Sequence, residues 1–104
     1  MEISSVELQK KINAGEKLIV DFHAKWCQPC RMMKPIFERV SQSNESGVQM
    51  YTMDIDENKE VAISLGIRSI PTIKMFNSGE VVETKVGLLN EGQINNLLTE
   101  LING

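Results

Sequence analysis

Apolar positions along the chain switch repeatedly between helical and strand spacing. In "ISSVELQKKINAG", Leu8 and Ile12 fall on one helical face. Ser4 followed by Glu7 fits a capping box, Ile3 with Leu8 fits the hydrophobic staple around it, and Gly15 ends the segment. The run "KLIVDF" at 17–22 is short, continuous and rich in branched residues, the pattern of a buried strand. From Gln28 to Ser43, Met33, Ile36, Phe37 and Val40 return to helical spacing. Pro29 suits the first turn of that helix, whereas Pro35 lies inside it and predicts a kink. "VQMYTMDI" alternates as a second strand. Asp56 then offers a cap for the helix "ENKEVAISL", with Val61 and Leu65 inward and Gly66 as terminator.

"PTIKMF", the turn "NSGE" and "VVETKV" have the pattern of a hairpin. Asn90 with Gln93 resembles a second capping signal, opening a last helix with Ile94, Leu97, Leu98, Leu101 and Ile102 on one stripe. The order is helix, strand, helix, strand, helix, hairpin, helix, with no repeat and no linker. Strands separated by helices tend to run parallel and a hairpin adds antiparallel pairing. The expected class is therefore α/β, a central mixed sheet with helices on both faces.

At 104 residues the chain has the size of one domain, 1–104. Its 41% hydrophobic and 24% charged residues are those of an ordinary globule. A formal charge of −3 with dispersed Lys and Arg gives nucleic-acid binding little electrostatic support. No apolar run approaches the roughly 20 residues of a membrane span, and "MEISSVELQKK" lacks a signal peptide's apolar stretch. A cytoplasmic location without membrane association is the expectation.

The only two cysteines stand in "WCQPC", as Cys27 and Cys30. Reducing cytosol disfavours structural disulfides, and so short a loop constrains the unfolded chain little, so an inert staple is a poor explanation. Placed at a helix start, a thiol faces unpaired N–H groups and the positive end of the macrodipole, which stabilise the thiolate nucleophile. Cys27 at the exposed tip is expected to attack and Cys30, about one turn inside, to resolve. A Cys-x-x-Cys between a buried strand and a helix is a specific redox context.

The segments "VDFHAKWCQPC", "MDIDEN", "LGIRSIPT" and "FNSGE…KVG" together resemble the thioredoxin family over essentially the whole chain, in order and spacing. The resemblance implies the thioredoxin-like fold and a protein-disulfide reductase whose Cys27–Cys30 disulfide forms reversibly. No bound cofactor is implied; electrons would come from a thioredoxin reductase driven by NADPH. By position, Trp26 shields the dithiol, Asp21 is the buried acid beneath it, and the Ile70–Pro71 bond is cis with Pro71 against the cysteines. The Ile70 backbone would pair with an extended substrate segment beside Gln28 and Pro29, with Gly87 leaving room for it. Asp21 is expected to carry a raised pKa, because burial disfavours the carboxylate, and to take or relay the proton of Cys30.

Three positions depart from the family pattern: Gln28 replaces a glycine, His23 a tryptophan and Thr52 a lysine that often neighbours the buried acid. The missing cation argues for an Asp21 pKa above the family's usual value. The N-terminus is short, so the first edge strand is expected to be truncated or absent. A metal site lacks ligands, since His23 alone accompanies the two thiols and zinc takes four. The rival reading is a non-enzymatic partner subunit or chaperone-like module using the groove around Trp26, Ile70 and Pro71. An oxidase or isomerase is disfavoured by the missing export signal. Met33, Met50, Met53 and Met75 have the pattern of core fillers, and the chain is expected to be monomeric.

Overall fold

Branched and aromatic side chains at Leu18–His23 form the central strand, because both of its faces can be buried. The computed structural model describes all residues, Met1–Gly104. In chain order the elements are α1 Ser5–Asn13, β1 Leu18–His23, α2 Gln28–Ser43, β2 Gln49–Asp54, α3 Lys59–Ser64, β3 Thr72–Asn77, β4 Glu80–Val86 and α4 Glu91–Asn103. The sheet order is β2-β1-β3-β4, with β1 parallel to β2 and antiparallel to β3, and β4 antiparallel to β3. The expected mixed sheet is present.

Side-chain alternation sorts the core into two layers. Ile19, Met50, Ile73 and Met75 face α2 and α4, packing on Met33, Phe37, Val40, Ile94, Leu97 and Leu101. Leu18, Val20, Phe22, Met53 and Phe76 face the opposite way, against Leu8 of α1 and the partly buried Val61 and Leu65 of α3. Asp21 and His23 share the parity of Ile19, so both stand on the α2 side of the sheet. That parity puts a carboxyl beneath the cysteine-bearing helix.

The edge strand is reduced to a single parallel bridge, Glu2 to Thr52, with Ile3 N–H donating to the Thr52 carbonyl and Thr52 N–H to that of Met1. The hairpin turns on Ser78 and Gly79, both at positive φ (56° and 84°), the geometry that matches strand twist in a two-residue loop. Ser4 caps α1 by accepting from Glu7 N–H. The full capping box of Asn90 and Gln93 opens α4. Asn90→Ala is expected to lower the unfolding free energy by about 1 kcal/mol, read by urea denaturation, because it orphans a helix N–H.

Two expectations are corrected. Asp56 does not cap α3, which starts later, at Lys59 after Asn58; the turn before it is held instead by Asp54, whose Oδ1 accepts from the N–H of Asp56 and Glu57. Ile102 is 45% exposed because it lies one position beyond the inward Leu101, past the edge of the stripe. Pro35 stands inside α2, which continues on both sides of it, anchored by Met33, Phe37 and Val40.

Candidate active site

The chain leaves β1 at His23, and Cys27 becomes the N-cap of α2 with an extended backbone. Its Sγ accepts the backbone N–H of Cys30 at 3.3 Å, one of the donors a helix start leaves without a partner. Cys27 and Cys30 are joined in a disulfide, their Cα atoms 5.3 Å apart. Pro29 lies in the first turn, where its missing N–H removes no helical hydrogen bond.

The expected contrast in exposure is corrected here. Cys27 is 5% and Cys30 3% exposed, so both are buried in the disulfide form, packed with Ala24 against Ile55 and Ile70. What separates them is their surroundings. Cys27 Sγ sits at the helix N-terminus, 3.8 Å from the Ile70 carbonyl oxygen. Cys30 instead borders a cleft of about 510 Å³ that also holds Asp21.

Asp21 is 1% exposed and its Oδ1 has no hydrogen-bond partner. Burial pushes its pKa up to about 7; the His23 charge opposes the rise and that of Glu2 adds to it. Thr52 lies directly across from Asp21 on β2 and supplies no cation. A carboxyl that takes and releases a proton near neutral pH lies in the same cleft as the inner cysteine.

Trp26 does not fill the core: it is 67% exposed, and its indole N–H donates to Asp56 Oδ2 at 2.8 Å. That bond ties the loop before α2 to the turn before α3. The Ile70–Pro71 peptide is cis, Pro71 is buried, and its carbonyl accepts from Gly87 N–H at 2.8 Å. Gly87 has φ 101°, and nothing lies within 4 Å of where a Cβ would stand. A side chain there would strain the backbone and enter this open space. Gln28 is exposed, and its Oε1 accepts from Arg31 Nη2 at 2.7 Å.

Sequence reasoning missed Glu2. Its Oε1 lies 2.5 Å from His23 Nε2 and accepts the Thr52 hydroxyl, while Oε2 accepts Asp54 N–H at 3.2 Å. Burial alone would raise its pKa, but the hydrogen bonds from Thr52 and His23, the His23 charge and the Asp54 N–H outweigh that and hold it below the usual value. No local signal marks Glu2; only its pairing with β2 brings it to the site.

Comparison with known proteins agrees with this geometry. The thioredoxin family model matches residues 1–100. A thioredoxin of Rickettsia bellii is 50% identical over 86 residues, covering 83% of this chain and 78% of that protein. One from Porphyra purpurea is 37% identical over 94 residues, covering 90% and 88%. The structure of a mutant thioredoxin from Halobacterium salinarum superposes with a TM-score of 0.85 at 31% identity, covering 97% of this chain and 88% of that one. Plasmodium falciparum thioredoxin gives 0.86 at 31%, covering 96% and 98%. With its paired cysteines at the start of α2, the chain belongs to the thioredoxin family and is a thiol–disulfide oxidoreductase of the protein-disulfide reductase type.

Proposed function

We propose that residues 1–104 act as one thioredoxin-like domain that reduces protein disulfides through a mixed disulfide on Cys27. The Cys27 thiolate attacks one sulfur of the substrate disulfide and the other leaves as a thiol. The Cys30 sulfur then attacks Cys27, the Cys27–substrate bond breaks, and the Cys27–Cys30 disulfide remains. Asp21 accepts the Cys30 proton in that second step. The observation that carries this reading is the placement of Cys27 Sγ on the Cys30 N–H at the helix start, with Cys30 opening onto the cleft of Asp21.

Gln28 and Pro29 at the helix start, with Trp26, Ile70, Pro71 and Gly87, make up the surface that meets substrate. The exposed indole and the open space at Gly87 support this role. An extended segment of the substrate pairs with the Ile70 backbone. A thioredoxin reductase using NADPH regenerates the dithiol. The protein works in the cytoplasm as a monomer, without nucleic-acid or membrane partners; no helix is long and apolar enough to cross a membrane.

The test is a redox titration of Cys27/Cys30 in defined dithiol buffers, read by thiol trapping. The expected midpoint is closer to the about −270 mV typical of thioredoxin than to the about −120 mV of a strongly oxidising dithiol protein. A value near the oxidant, or no reversible transition, would reject the reductase reading. A Cys27→Ser, Cys30→Ser protein is expected to lose all disulfide-reducing activity; retained function in an assembly assay would make it a binding module.

A further inference from the structure

The cleft beneath α2 has an arrangement of charge that the dithiol reaction alone does not account for. Glu2 is bridged to Thr52, and Thr52 lies across from Asp21, so the three form a lateral row over neighbouring strands on one face of the sheet. His23 follows Asp21 by two residues on β1, which puts it on the same face about 6–7 Å further along the strand. The Glu2 carboxylate closes the arrangement by holding His23 Nε2 at 2.5 Å and the Thr52 hydroxyl through the same oxygen. All four residues line the cleft that Cys30 also lines, and Asp21 Oδ1 is buried there without a hydrogen-bond partner.

We propose that Glu2 and His23 are positioning residues for the resolving step, an opposed charge pair that acts through Asp21 and sets the pH range over which it accepts the Cys30 proton. The proposal rests on the role given to Asp21 above. The glutamate places a negative charge near the buried carboxyl and favours its protonated form; protonated His23 does the reverse. The two effects oppose each other because the charges have opposite signs, and the hydrogen bond between them keeps both beside the cleft. Thr52 orients the glutamate with its hydroxyl and carries no charge itself. The pair stands beside Asp21 in a site where the residue opposite, Thr52, supplies no cation.

Other charges face the same cleft: Lys25 from the loop after β1, Arg31 and Lys34 from α2, Asp54 at the end of β2 and Glu57 beyond it. Lys25 is drawn outward to Glu57 at 3.4 Å, where the side chains are 82% and 65% exposed. Arg31 is held by Gln28, and Asp54 is engaged by backbone N–H groups of the following turn. These groups set a constant background. The Glu2–His23 pair differs in being hydrogen-bonded within the row that contains Asp21.

In the step itself, the Cys30–Cys27 sulfur bond forms and the Cys27–substrate sulfur bond breaks. The substrate sulfur leaves with the bonding electron pair, and the Cys30 proton passes to Asp21. The pair changes only the pH at which Asp21 is free to accept it.

The test uses the full chain and two readouts. Stopped-flow reaction of the reduced protein with dithiobis(nitrobenzoate) releases one chromogenic thiolate on attack by Cys27 and a second on resolution by Cys30; the second phase is followed against pH. Carbon NMR of labelled aspartate follows the Asp21 carboxyl directly. The midpoint is expected to move down in Glu2→Gln and up in His23→Gln, each by about 0.5–1 pH unit, and to return towards the starting value in the double variant. A merely structural role would move both variants in the same direction or neither, and either result overturns the proposal. Asp21→Asn separates the two readings. If it leaves the resolving profile unchanged, Asp21 is not the base; opposite carboxyl shifts by NMR would then uphold the electrostatic pair while removing its effect on resolution, and the proposal as stated falls.

Discussion

Replacing Cys30 by serine is expected to arrest the reaction at the mixed disulfide. Cys27 still stands at the start of α2 with its Sγ on a backbone N–H, so the first attack proceeds. Nothing then displaces the substrate except external thiol. A well-oriented intramolecular nucleophile can carry an effective molarity of ~10⁵ M or more, so turnover should fall by at least about 10³-fold. Mass spectrometry of Cys30→Ser after reaction with a disulfide-bonded protein should show a stable one-to-one adduct, and digestion should locate it on Cys27. An adduct in Cys27→Ser of comparable yield would reverse the roles of the two thiols. Burial does not distinguish them, since both are covered in the disulfide form. The assignment depends on the helix N-terminus for one and the acid-bearing cleft for the other.

Asp21→Asn is expected to make the protein more stable and slower. In the folded chain the carboxyl holds its proton up to about 7 because it is buried, whereas in the unfolded chain it ionises near 3.8. Between these values the unfolded state binds fewer protons, so stability falls as pH rises, and the loss is complete above the folded value. The penalty amounts to about 4 kcal/mol, so denaturant melts should show Asp21→Asn gaining up to that amount above about pH 8 and nothing below about pH 3. The same substitution removes the proton acceptor of the resolving step. Resolution above neutral pH should slow by about 10²-fold and lose its dependence on pH in this range. A variant that gained stability without losing rate would leave Asp21 as a cost with no catalytic return.

Much of this could be read along the chain because it rests on local rules. A continuous apolar run, alternating segments and helical stripes located the helices and strands within a few residues. The capping box at Asn90 forms as expected, Ser4 caps α1 without the reciprocal bond from its N–H to Glu7, and the four inward methionines are buried. Cys27 and Cys30 needed only their place between a buried strand and a helix. Asp21 was marked by a charge inside an apolar strand, where a carboxyl has no cheap location. The errors arose where neighbours outside the segment decide. Asp56 has the right type for a cap, yet its carboxylate accepts from Trp26, thirty residues away in sequence.

Local patterning thus determined the order of elements, the mixed sheet and the identity of the redox pair, because the hydrogen bonds and periodicities involved span only a few residues. Tertiary structure alone decided what surrounds the buried acid. His23 showed no partner in sequence, and Glu2 lies 21 residues from it and 50 from Thr52. Only the bridge of residue 2 onto β2, and the parity that turns Asp21 and His23 towards α2, bring these groups into one cleft. Charge interactions depend on distance in space and on burial, and folding sets both.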